Sequence, residues 1–201
     1  HTPNMVTAVI GDYRGYDTLY ETLVILTAGV ACAVILSTGM NDMTSIRKAV
    51  ETIQAHGTPL AVLHCTSMYP TPYDKVRLGG ISDLQAAFPD LPVGLSDHSM
   101  GVWTCLGAVS LGAALLEKHF TISRDWPGPD TGISIEPAEL KDLVEGSQAI
   151  WMARGGSKTI LAEEQPVIDF AYATVVTTRP IKAGETFDRD NLGVKRPGVG
   201  P

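Results

Sequence analysis

Four short polar clusters hold the residue types that could do chemistry. They are Ser37-Thr38, His64-Cys65-Thr66-Ser67, Ser96-Asp97-His98 and Glu117-Lys118-His119. Each follows a short apolar run. His98 and His119 are the best metal candidates. If each ends a strand of one parallel sheet, neighbouring strands lie about 4.8 Å apart and both imidazoles reach one ion. Two imidazoles, with the other positions left to water or substrate oxygen, suit Mn²⁺ or another divalent ion. The alternative is two unrelated histidines with local hydrogen bonds. No cysteine pair has zinc-site spacing. Pro127-Gly128-Pro129-Asp130 is a stiff loop that fixes where Asp130 points. A carboxylate so held can accept hydrogen bonds from substrate hydroxyls or act as a base; otherwise it is an ordinary turn. Tyr69-Pro70-Thr71-Pro72-Tyr73 is stiffened in the same way, and Tyr69 could stack on a ligand or bond it. Loop rigidity alone is the competing reading.

The elements that must position these residues alternate between apolar strands and helical patterns. Ala33–Leu36, Leu60–Cys65, Pro92–Leu95 and a run from Ala114 to His119-Phe120 read as strands. They are short and nearly all apolar, as in parallel sheets covered on both faces. Asn41 or Asp42 can cap a helix carrying Met43, Ile46, Ala49, Val50 and Ile53, stopped by Gly57 and Pro59. Leu78 to Phe88, Trp103 to Val109, and a segment opened by Pro137 give three more helices. Four consecutive βα units follow, which fit either a doubly wound sheet or half of a TIM barrel. Residues 154–168 read as a polar linker. The alternating run from Phe170 to Thr178, a turn at Ala183-Gly184-Glu185 and the stretch from Val194 to Gly198 read as the start of a small β-rich module. Residues 1–33 give no clear elements.

The bulk properties exclude some classes. Hydrophobic residues make up 44% of 201 residues, enough for a core, and charged residues only 18%. A net charge of -7 without clustered Lys and Arg argues against a nucleic-acid partner. No apolar run reaches the roughly 20 residues that span a bilayer, so no membrane partner is expected. Cys32, Cys65 and Cys105 are widely spaced and read as buried reduced thiols, the pattern of a cytoplasmic protein. No signal-peptide pattern, phosphate-cradling glycine fingerprint or Gly-x-Ser-x-Gly elbow is present.

Several longer motifs occur in order. Ile35-Leu-Ser-Thr-Gly-Met40, His64-Cys-Thr-Ser-Met-Tyr-Pro-Thr-Pro-Tyr73, Gly94-Leu-Ser-Asp-His98, Glu117-Lys-His-Phe120 and Pro127-Gly-Pro-Asp130 resemble the N-acetylneuraminate synthase (sialic acid synthase) family. Ile181-Lys-Ala-Gly-Glu185 and Val194-Lys-Arg-Pro-Gly198 resemble the start of that family's antifreeze-like, or SAF, domain. The resemblance covers about residues 34–200. It implies a TIM (β/α)8 barrel whose second half lies at 34–153, followed by a partial SAF domain at 169–201. It implies metal held by His98 and His119, Mn²⁺ first and Mg²⁺ or Co²⁺ after it. Ser67 and Ser96 would face phosphoenolpyruvate; many members carry Asn where Ser67 stands. Tyr69 and Asp130 would face the amino sugar, with Asp130 also catalytic. A domain-swapped homodimer would bring Phe170 and Arg196 to the partner's sugar site. The implied reaction joins phosphoenolpyruvate, N-acetylmannosamine and water to give N-acetylneuraminate and phosphate. Rivals are a synthase of legionaminate or pseudaminate, an inactive fragment of such an enzyme, and a sugar-binding module.

Overall fold

Asp42 starts the first helix because its carboxylate accepts a hydrogen bond from the Ser45 N–H at 2.9 Å, replacing a bond the helix cannot make for itself. The computed structural model describes residues 34–197 and one further two-residue strand, Ala8–Val9. The rest of the 1–33 segment, and with it Cys32, lies outside the described residues, as does Gly198. The chain forms two compact units, His1–Gly155 and Gly156–Pro201.

In the first unit five strands make one parallel sheet. They are β1 (Ala8–Val9), β2 (Val34–Ser37), β3 (Leu60–Cys65), β4 (Val93–Asp97) and β5 (Leu116–Lys118), in the order β1-β5-β4-β3-β2. Helices α1 (Met43–Gln54), α2 (Tyr73–Val76), α3 (Gly79–Ala87), α4 (Trp103–Ser110) and α5 (Pro137–Ala153) lie between and after them. Val62 of β3, Leu95 of β4 and Leu116 of β5 share a core with Ile46 and Val50 of α1, Ile81 and Leu84 of α3, Cys105, Ala108 and Val109 of α4, and Leu143 of α5. Each fully buried aliphatic side chain contributes about 1.5–3 kcal/mol. The core residues of β3 and β4 are two positions apart, so they mark the helix-covered face; the intervening residues point to the opposite, inner face. Gly94 lies on that inner parity. A Cβ there would come within 2.3 Å of the Leu115 carbonyl, so glycine permits this approach of β4 and the chain entering β5. Cys65 and Cys105 are buried free thiols.

The strands and long helices fall where the apolar runs predict, within a residue or two at most ends. Two departures have local causes. The Tyr69–Tyr73 loop runs into α2, a single turn whose N-cap is Pro72. The stretch read as a linker carries a 3-10 turn, Ala162–Glu164, and helix α6 (Gln165–Ala171), with Pro166 in its first turn. The strand expected from Phe170 therefore begins only at Thr174. In this second unit β6 (Thr174–Thr177) pairs antiparallel with β7 (Leu192–Lys195). Asn191, fully buried, donates to the Thr186 carbonyl and accepts from the Asp188 N–H, which shapes the connection between them. The expected turn at Ala183-Gly184-Glu185 is present, with Gly184 at φ 85°.

Candidate functional site

Period-two alternation divides the polar strand tips into two sets. On the helix-covered face stand His64, Asp97 and Lys118. The His64 Nε2 meets the Val76 carbonyl at 2.8 Å, and α3 presses Gly80 against its ring, where a Cβ would lie 2.6 Å from the imidazole. His64 thus ties α2 to β3 and takes no part in the inner cluster. On the inner face stand Cys65, Ser96 and Glu117, then His98 and His119 one residue past their strands and Ser67 two residues past β3.

The pairing of β4 with β5 ends at Asp97↔Lys118, so His98 and His119 are the next residues along. Their rings lie 5.2 Å apart between centroids, inclined at 68°. The His98 Nδ1 is 3.1 Å from the Thr66 carbonyl. A carbonyl only accepts, so this bond puts the proton on Nδ1 and leaves Nε2 with its lone pair. Tyr69 covers the pair, its ring centroid 4.2 Å from that of His98 and 5.9 Å from that of His119. The loop bearing it is held to His98 by the Thr71 N–H, which donates to the His98 carbonyl at 3.0 Å. Burial disfavours charge on His98, but the Cys65 sulfur 3.8 Å from Nδ1, the Thr66 carbonyl and Glu117 outweigh it and raise its pKa. Cys65 responds in the opposite sense: burial pushes its thiol up, and His98, Ser37 and Ser67 bring it below the usual range.

Asp130 lies beside the second imidazole, with Oδ2 3.8 Å from the His119 Nδ1. Its loop is closed by its own backbone. The Asp130 carbonyl accepts from the N–H of Ile133 and from both the N–H and the hydroxyl of Ser134. Arg124 fastens the two ends: its N–H donates to Glu136, its Nε to the Ser134 carbonyl and its guanidinium to Glu139. Glu136 and Glu139 open α5, and Glu139 also accepts from the Glu136 N–H.

Ser67 packs against Gly39 just beyond β2; a Cβ on Gly39 would sit 2.2 Å from the Ser67 Oγ. Ser96 is buried and donates to the Glu117 Oε1 at 3.3 Å. The structure therefore gathers His98, His119, Tyr69 and Asp130 closely, with Ser67 and Ser96 on the same inner face. Phe170 on α6 and Arg196 just past β7 belong to the second unit, where both are exposed. Glu117 joins the inner set without having been singled out. Its parity with Ser96 and His119 across two paired strands is the signal that could have found it.

The imidazole pair fits a metal of the open kind. With Nδ1 on the Thr66 carbonyl, His98 has Nε2 as the nitrogen to offer an ion, and Asp130 stands beside His119. Among the described residues no three His, Cys, Asp or Glu side chains form a closed ligand set. His98 and His119 are the residues that would hold the ion, with its other positions left to water or substrate.

Polar groups at the carboxyl ends of parallel strands, with helices packed on the other face, define an α/β protein with a strand-tip site. Residues 16–159 match the profile of the NeuB family, and the chain belongs to that family. The match starts inside the segment 1–33, further toward the N-terminus than the motifs reach. The chain is 40% identical over 171 residues to the N,N'-diacetyllegionaminic acid synthase of Campylobacter jejuni subsp. jejuni serotype O:2, covering 83% of this chain and 51% of that one. It is 34% identical over 170 residues to the N-acetylneuraminate-9-phosphate synthase of Mus musculus, covering 84% and 47%. Among solved structures, the N-acetylneuraminic acid (sialic acid) synthetase of Leptospira borgpetersenii serovar Hardjo-bovis superposes with a TM-score of 0.63 at 37% identity, over 68% of this chain and 48% of that one. The chain spans about half the length of these relatives. The sheet is accordingly a curled half-barrel. No helix among the described residues is long and apolar enough to cross a membrane.

Proposed function

We propose that this chain carries the site-bearing half of a TIM-barrel synthase that condenses phosphoenolpyruvate with N-acetylmannosamine and water, giving N-acetylneuraminate and phosphate. The observation that carries the reading is the pair of imidazoles at adjacent strand tips, 5.2 Å apart on the inner face and covered by Tyr69. A divalent ion bound there, with Mn²⁺ preferred over Mg²⁺ or Co²⁺, would supply Lewis-acid polarisation of the acceptor's aldehyde oxygen.

The chain's own residues have distinct tasks. The Ser67 hydroxyl donates to the anionic oxygens of phosphoenolpyruvate, and the Ser96 hydroxyl does the same on turning away from Glu117. Asp130 accepts from an acceptor hydroxyl, which orients the open-chain sugar, and it can take up a proton during condensation. Tyr69 limits the acceptor's approach from above the imidazoles. In the reaction C3 of phosphoenolpyruvate bonds to the aldehyde carbon, water adds at C2 and phosphate departs. Holding both substrates in one pocket supplies much of the acceleration. On the same reading the second unit is the start of an SAF domain, and a swapped homodimer brings Phe170 and Arg196 to the partner's sugar.

Phosphate release by the full-length protein tests this. It should require phosphoenolpyruvate, a divalent ion and N-acetylmannosamine. A preference for the acceptor of legionaminate or pseudaminate would move the assignment to that synthase. No phosphate with any of the three acceptors would overturn the reading, leaving a binding module or an inactive piece.

A further inference from the structure

Behind the two imidazoles lies a buried charge pair that the proposed chemistry does not use. Asp97 and Lys118 immediately precede His98 and His119, on the helix-covered face. Their side chains are 1% and 4% exposed, and the Lys118 Nζ lies 2.8 Å from the Asp97 Oδ2. The carboxylate is saturated. Its Oδ2 also accepts from the Thr104 hydroxyl at 2.7 Å and the Ser99 hydroxyl at 3.0 Å, and its Oδ1 accepts from the Ser99 N–H at 3.1 Å. The ammonium also donates to the Ser99 carbonyl.

Stability alone does not account for such a pair. Well-packed apolar residues of similar volume usually serve as well or better, because desolvating two charges offsets their attraction. Two geometric facts point elsewhere. First, the β4–β5 ladder ends at Asp97↔Lys118, so this pair is the last register contact before the histidines. Second, one ammonium bonds both neighbours of His98, the side chain of Asp97 and the carbonyl of Ser99. Lys118 on β5 thereby holds both residues that flank the imidazole supplied by β4, one through its carboxylate and the other through its backbone carbonyl. Thr104 anchors the carboxylate to α4 as well.

We propose that Asp97 and Lys118 are positioning residues: from the far face of the sheet they set the spacing and aim of the His98–His119 pair, and so its affinity for a divalent cation. The proposal rests on the metal reading above. Outer groups that orient metal-binding histidines commonly account for about 10–100-fold in affinity.

The test is Mn²⁺ titration of the full-length protein, read from the electron paramagnetic resonance signal of free Mn²⁺, alongside thermal melting. His98→Ala should abolish high-affinity binding. The double variant Asp97→Leu/Lys118→Met removes both charges together. It should melt cooperatively near the parent's temperature while binding Mn²⁺ about 10–100-fold more weakly. Parental affinity in that folded variant overturns the proposal while leaving the metal reading intact. Unchanged binding in His98→Ala overturns both. If the double variant does not fold, Thr104→Val decides. It removes one anchor of the carboxylate without stranding a charge, and a measurable loss of Mn²⁺ affinity supports positioning, whereas parental affinity ends the idea.

Discussion

The two faces of the same strand tips carry similar residue types and do opposite things. On the helix-covered face His64, Asp97 and Lys118 are consumed by partners within the fold. On the inner face His98, His119 and Asp130 lie near one another without forming a closed set. Polarity at a strand end is therefore not in itself a mark of function. What separates the faces is where the bonds run: the helix-covered groups bond to the helices and to each other, with the Asp97 carboxylate the most heavily bonded, whereas the inner imidazoles and Asp130 lie against one another. Burial would push the Asp97 pKa up, but Lys118, Thr104 and the Ser99 N–H hold it below the usual carboxylate range.

Substitutions on each face should give different signatures. The largest effect is expected from His119→Ala. Mn²⁺ affinity and metal-limited phosphate release of the full-length protein should both fall by more than about a hundredfold, beyond what outer residues account for. Melting should change little, since the ring is partly exposed. Intact turnover would erase the distinction between the faces. Next comes Asp97→Ala, which strands the Lys118 ammonium in the interior. Urea unfolding should show a loss of about 3–5 kcal/mol, the cost of an uncompensated buried charge. A smaller effect follows from Gly39→Ala. The new methyl collides with the Ser67 Oγ, so Ser67 must turn away at a cost of about 1–3 kcal/mol. The KM for phosphoenolpyruvate should rise more than the melting temperature falls. Smallest is the contribution of Asp42, exposed at the start of α1. The Ser45 N–H holds its carboxylate below the usual value. Its support for α1 is therefore complete above the ordinary carboxylate range and fades as pH falls through the folded value. Asp42→Ala should lower the urea midpoint at neutral pH and lose that difference from the parent in acid.

Much of this arrangement is legible in the sequence because it follows from patterns a few residues long. Leu60–Cys65 is an apolar run broken only by His64 and closed by polar residues, and β3 has those bounds. Pro137 opens α5 as a first-turn proline should. The histidine pair was readable because each ends a run of the same kind. The faces were not separated, although strict alternation from Leu95 and Leu116 assigns Asp97 and Lys118 outward and His98 and His119 inward. The helix from Gln165 was hidden because its flanks are polar and turn-rich, with Pro166 reading as a breaker where it serves as a first-turn residue. The stacking of Tyr69 on His98 was not legible, because it depends on a loop folding back across 29 residues of chain.

If the loop that carries Asp130 walls the acceptor site, as proposed, its fastening by Arg124 bears on acceptor choice. A loop pinned at both ends meets its guest already shaped, so little freedom remains to be surrendered on encounter. Acceptors that mismatch this wall should be rejected mainly by leaving sooner rather than by arriving more slowly. Cutting the fastening, as in Arg124→Ala, should broaden the range of sugars accepted while weakening the hold on each.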